Sequence, residues 1–330
     1  MFRSKGLVNP LLFASVVVAW GLTWYAIKLQ LGPTPPETSI FWRFFLAAAA
    51  MWAGLIATGR LKRAPLRSHL WLLALGIVLF SSNFLCFYNA ERFTPSGVVA
   101  VVFAVAPAFN VVNLWLLRGV RPSANAIVGA ILGALGVACL FADQLAAATA
   151  ASGAPLGVAL AAAGAYCFSL GNLISQPATR AAGDLPNAIA RAMTWGTAIL
   201  AAAVAARGLS FKPTLTPAYL GGLVYLAAIG SVFGFLAYLA LVARIGPARA
   251  AYTTVLSPVI ALAMSSLLEG YLWSRWALVG APLILLGQVV MFGPPLERAL
   301  LRRRRDGDGA ATLSERTEAT RRRAPSSSRK

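Results

Sequence analysis

The chain has 330 residues, of which 58% are hydrophobic and only 12% charged. Soluble domains carry roughly 25% charged residues, so this surface is too apolar for water and a soluble globular fold is excluded. The formal net charge of +19 does not mark a nucleic-acid binder: eleven of the 29 basic residues lie at or beyond Arg298, and most others sit in short gaps between apolar runs. That placement is the one expected of membrane topology and anionic lipid.

A membrane-crossing helix needs about 20 mostly apolar residues. In chain order, ten stretches qualify: 8–29, 39–58, 70–90, 96–117, 124–142, 156–177, 187–206, 218–242, 248–268 and 276–293. The first has the basic flank and apolar stretch of a signal peptide, but no soluble domain follows, and it reads as the first span. Turn chemistry separates the runs, as in "LGPTPPET", "GRLKRAPLRSH", "RGVRPSAN" and "RIGPAR". The tail, residues 298–330, is charged and Ser/Arg-rich without apolar periodicity, and is expected to be a disordered basic segment facing anionic lipid. Cys86, Cys139 and Cys167 each fall alone in an apolar run and read as small buried hydrophobes, with neither disulfide nor metal spacing.

Lys and Arg counts in alternate gaps set orientation. One side holds eleven: Arg3, Lys5, Arg60, Lys62, Arg63, Arg67, Arg118, Arg121, Arg180, Arg244 and Arg249. The other holds five: Lys28, Arg92, Arg207, Lys212 and Arg275. Both termini are therefore expected in the cytoplasm.

The chain also repeats itself. "PAFNVVNLWLLRG" begins at Pro107 and "PVIALAMSSLLEG" at Pro258, 151 positions later. The same offset matches Gly129 with Gly280, Gly136 with Gly287, and Leu132 with Leu283. Weaker matches pair Trp20 with Tyr166, Thr23 with Ser169, and Arg43 with Arg191. The implied unit is five helices. An odd unit re-enters the membrane upside down, so Arg118 ends its helix on the cytoplasmic side and Glu269 ends its helix on the outer side. The expected fold is all-α, with ten transmembrane helices as two inverted five-helix repeats, residues 1–143 and 155–293. Such repeats build secondary transporters whose site lies at the midplane between the halves.

The stretches "VVAWGLTWYAIK" (17–28), "SIFWRFFLAAAAM" (39–51), "AVAPAFNVVNLWLLRG" (104–119) and "LSPVIALAMSSLLEG" (256–270) resemble the drug/metabolite transporter superfamily in its form with two EamA-type repeats. Within it the chain looks most like YddG-type aromatic amino acid exporters. The resemblance spans residues from about 8 to 293. It implies a multi-pass protein of the bacterial inner (plasma) membrane that exports a small molecule by alternating access, without a cofactor. Amino acids, aromatic or large and apolar, are the expected substrates. Another small metabolite, such as a nucleobase, a sugar or a lipid-linked precursor, is the alternative, and a channel or intramembrane enzyme a more distant one.

Span centres place Trp20, Asn83, Phe84, Phe103, Asn110, Tyr166, Ser169, Phe233 and Thr254 near the midplane. Aromatics with a few amides and hydroxyls suit a flat, partly apolar solute, although each polar group has an alternative use in bonding across helices. Pro107 and Pro258, mid-span in both copies, read as hinges or cavity-lining breaks, or as packed kinks. Arg43 lies about one turn into its span. It either pairs with Glu269 as an outer gate, attracts a substrate carboxylate, or reaches the headgroups. All ten Asp and Glu residues fall outside the span centres, and His69 is the sole histidine. A carboxylate-switched cation antiporter is therefore not expected, and neither a metal cluster nor a catalytic triad is discernible.

Overall fold

The computed structural model describes residues 5–146, 153–245 and 252–292. The tail from 298 onward and the gaps 147–152 and 246–251 lie outside the described residues, and with them the expectations for the tail. Among the described residues all regular structure is helical. In chain order the helices are α1 (Lys5–Lys28), α2 (Pro36–Ala57), α3 (Leu66–Ala90), α4 (Ser96–Arg118), α5 (Ala124–Ala146), α6 (Ala154–Ala182) and α7 (Leu185–Ala206). Then α8 runs through Pro217–Val224, Tyr225–Phe233 and Gly234–Ile245, followed by α9 (Tyr252–Leu268) and α10 (Arg275–Phe292). Seven of these, α1–α4 and α6–α8, contain stretches long and apolar enough to cross a membrane. Shorter apolar helices cover Ala124–Cys139, Leu256–Leu268 and Arg275–Met291.

Local chemistry explains the ends. Proline occupies the first turn of α2, α6, α7 and α8, where its missing N–H costs nothing. Asp184 caps α7 by accepting from the Asn187 N–H at 2.9 Å, and Thr216 caps α8 through the Tyr219 N–H. Gly119 and Gly183 close α4 and α6 in the left-handed region, φ 66° and 88°, which a side chain would resist.

Three helices are irregular inside their spans. α3 widens to a π-turn over Val78–Ser82, and α8 does so over Tyr225–Phe233. α4 breaks between Phe103 and Ala106. Pro107 has no N–H to offer the Phe103 carbonyl, and the Ala108 N–H turns to Val105 at 2.9 Å. The side-chain amide of Gln288 on α10 donates to the Ala104 carbonyl, as a break in lipid requires. Pro258, by contrast, sits within an uninterrupted α9.

The largest apolar core gathers Ile40 and Phe44 of α2, Leu72, Leu75 and Phe80 of α3, and Met193 and Leu200 of α7. α2 and α7 are antiparallel and paired at both ends. Glu37 meets Arg207 at one, and Asp184 meets Lys62 at 3.0 Å at the other. α5 and α10 cross through Gly129, Gly136, Gly280 and Gly287. Cys86 and Cys167, which fall alone in their apolar runs, are free thiols of intermediate burial that interact with each other across α3 and α6. Large apolar side chains such as Leu116, Leu117, Leu278 and Leu286 are exposed, which suits lipid as the solvent.

Candidate functional site

Two chambers meet inside the helices. The smaller, about 80 Å³, is walled by Trp20, Trp24, Phe84, Phe87 and Phe103, with Arg43, Asn83, Thr23 and Ser257 as its polar members. The larger, about 460 Å³, reaches from Pro107 and Asn110 to Asn172, Ser175 and Ile189. Trp20, Phe103, Phe168 and Phe235 line both, so a ring of four aromatics stands between them. Edge contacts hold that ring: Phe103 lies 4.9 Å from Phe168, and Trp20 lies 6.0 Å from Phe235, between centroids. Such contacts are each worth about 0.5–1.5 kcal/mol beyond area burial.

Of the residues expected at the midplane, Trp20, Asn83, Phe84 and Phe103 line the small chamber, and Asn110, Thr254 and Pro107 the large one. The remainder lie elsewhere. Tyr166 is 43% exposed on the outer side of α6, in edge contact with Phe109. Phe233 is 38% exposed. Ser169 is buried, accepting from the Asn113 amide at 2.8 Å, a bond between α4 and α6. Sequence reasoning missed Phe168 and Phe235, each two positions from the residue chosen.

Arg43 neither pairs with Glu269 nor reaches out of the protein. It is 3% exposed and lines the small chamber. Its Nε donates to Ser231 at 3.2 Å, and its guanidinium lies over the Phe84 ring at 4.3 Å, a favourable contact for a desolvated cation. Its Nη1 has no partner. Glu269 instead joins the end of α9 to the start of α4: its carboxylate accepts from the Ser96 N–H at 3.1 Å and from the Ser96 hydroxyl. The mirror residue Arg118 makes no such cap, donating to the Leu173 carbonyl at 3.1 Å. A cation cannot accept from a helix N-terminus as a carboxylate can.

Glu91, at the C-terminal cap of α3, is fully buried with both carboxylate oxygens unpartnered. Lys28 donates to its backbone carbonyl at 2.9 Å, and Tyr88 one turn earlier donates to Gln30 at 2.6 Å. Sequence placed Glu91 outside a span centre, but burial there is a tertiary outcome.

A family model for EamA-like transporters matches residues 9–142 and again residues 155–293. The chain is 28% identical over 272 residues to an Escherichia coli K12 protein described as an uncharacterized inner membrane transporter, YedA, covering 82% of this chain and 86% of that one. It is 27% identical over 302 residues to a probable amino-acid metabolite efflux pump of the same organism, covering 89% and 96%. A Salmonella typhimurium protein with that description is 26% identical over 290 residues, covering 84% and 93%. One solved crystal structure superimposes with TM-score 0.58 at 18% identity, over 86% of this chain and 96% of the other, a likeness of fold alone.

Proposed function

The chain belongs to the EamA-like transporter family, a group of membrane transporters rather than enzymes, and on that premise we propose that it exports amino acids by alternating access. The substrates are aromatic or large apolar ones, as for YddG-type exporters, and the membrane is the bacterial inner membrane. The observation that carries this reading is the aromatic double chamber. Its walls come from both matched segments: Trp20, Asn83 and Phe103 from the first, Phe168, Phe235 and Ser257 from the second. The efflux-pump description of two relatives points the same way.

The inverted ten-helix reading draws support from reciprocal contacts. Under the offset of 151, Gly129 corresponds to Gly280 and Gly136 to Gly287. In space Gly129 meets Gly287 and Gly136 meets Gly280. Such exchange is the mark of a two-fold axis. The two helices run antiparallel, which fits an axis perpendicular to them, the direction that inverted repeats have in the membrane plane. The basic-residue count adds the cytoplasmic location of both termini, and the basic tail then faces anionic lipid.

Counter-flow of labelled amino acids in liposomes containing only this protein tests the function. Phenylalanine, leucine and methionine are expected to exchange. Liposomes that carry nucleobases or sugars and ignore every amino acid would refute the substrate class.

A further inference from the structure

Arg43 and Asn83 both line the small chamber, and each carries a buried polar atom, the two of opposite character. Arg43 Nη1 is a donor and Asn83 Oδ1 an acceptor; neither has a partner, and the residues are 3% and 1% exposed. A buried donor or acceptor left unpaired is costly, and native proteins leave few of them. The guanidinium is held in place by Ser231 and the Phe84 face. The groups that interact with Arg43 are Tyr88 first and Glu91 second, but among the described residues no ion pair within 4.0 Å joins Arg43 to Glu91. Glu91 interacts with Lys28 and Glu269 as well.

We infer that Arg43 and Asn83 form the head-group site for a zwitterionic α-amino acid, Arg43 taking the carboxylate and Asn83 Oδ1 accepting from the ammonium. This rests on the amino-acid reading above and deepens it. A chamber of about 80 Å³ suits the compact head group and not a whole aromatic amino acid. The side chain passes the ring of Trp20, Phe103, Phe168 and Phe235 into the cavity of about 460 Å³. Recognition is therefore strict at the head group and permissive at the side chain. An apolar pocket discriminates weakly between side chains that differ by a methylene, whereas a site built to hydrogen-bond a group strongly rejects the analogue lacking it.

The test is competition against labelled phenylalanine counter-flow in liposomes carrying the full-length chain. Leucine and methionine are expected to compete within about tenfold of phenylalanine, and phenethylamine and 3-phenylpropanoate at least about a hundredfold more weakly. Phenethylamine competing as well as phenylalanine would overturn the role of Arg43. Equal competition by 3-phenylpropanoate would overturn that of Asn83. Arg43→Lys should retain part of the transport that Arg43→Gln loses, with membrane insertion and melting temperature measured alongside. If Arg43→Gln does not fold, the competitor series on the unaltered protein decides. Liposomes that move other metabolites but no amino acid defeat both readings, whereas amino-acid transport indifferent to the head group defeats this one alone.

Discussion

Gly129 and Gly287 touch backbone to backbone. A methyl group on Gly129 would lie 2.5 Å from the Gly287 carbonyl oxygen, and one on Gly287 would lie 2.6 Å from the Gly129 carbonyl oxygen. α5 and α10 approach this closely only because neither residue has a side chain, the small-residue packing typical of helices in lipid. Gly129→Ala or Gly287→Ala should each destabilise the protein by about 1–3 kcal/mol through overpacking. Gly133→Ala, with nothing within 4 Å of the added carbon, should be neutral. Melting temperatures of the purified variants in detergent measure this. The two damaging changes share one crossing, so the double variant should fall short of the sum.

The broken helix α4 depends on a side chain from α10. Gln288 is buried and donates to the Ala104 carbonyl at the break. Gln288→Leu keeps the bulk and removes the donor, so an unpaired buried carbonyl should cost up to about 1–3 kcal/mol, offset in part by removal of the unpartnered Gln288 Oε1. Urea or thermal unfolding of the two proteins gives the difference, and an unchanged midpoint would show that the break is satisfied some other way.

Asp184 links the loop before α7 to Lys62. Although burial pulls its carboxyl upward, hydrogen bonds from the Asn187 N–H and side chain and the Lys62 ammonium more than offset this, holding it below the usual carboxylate range. A lowered folded value stabilises the fold above the unfolded value, near 3.9, and the gain fades as pH falls through the folded value. Asp184→Ala should cost about 1 kcal/mol at neutral pH, the usual worth of a helix cap. The gap between the two proteins should narrow below about pH 4, as followed by melting temperature against pH.

Ser96 and Glu269, rather than Arg43 and Glu269, should show coupling. A double-mutant cycle of Ser96→Ala and Glu269→Gln should yield about 1.5–3 kcal/mol in stability, the range of a hydrogen bond to a charged group. The cycle of Arg43→Gln with Glu269→Gln should be additive. Sequence put the cation and the anion at the same depth on one face. It was silent on the Ser96 hydroxyl and N–H, which reach the carboxylate only once α4 and α9 pack.

Phe168→Ala should reduce counter-flow severalfold while Tyr166→Ala leaves it unchanged, with both proteins inserted to equal levels. The two residues are neighbours in sequence but lie about 200° apart around α6, at 100° per residue. Residues Phe168, Asn172 and Ser175 share the inward face at the spacing i, i+4, i+7. Loss of activity in Tyr166→Ala would return that face to the cavity.

The helices themselves were legible: hydropathy and turn residues located their ends to within about five residues, the largest miss being the C-terminal end of α6 at Ala182. Span centres mark depth, and Trp20, Asn83 and Phe103, placed in that way, line the small chamber. Which side of a helix faces inward was harder to read, since α6 is apolar on most of its circumference and the polar residues Tyr166 and Ser169 drew the inner face to the wrong side. α8 failed for a different reason. Its π-turns over Tyr225–Phe233 insert residues without advancing the helix normally, so Phe235 and not Phe233 arrives at the ring. Nothing in the composition of "YLAAIGSVF" announces a π-turn. Burial of Arg43 beneath Ser231 is equally a long-range result, joining residues 188 positions apart.

α2 and α7 come from different matched segments, yet each end of one is bolted to the other, by Glu37 with Arg207 and by Asp184 with Lys62. A displacement of one matched segment against the other as intact blocks would break both ion pairs and slide the glycine crossing of α5 and α10. The contacts of α2 with α7 and of α5 with α10 therefore join the two matched segments. The boundary between the two halves of the sequence is not a boundary in the packing.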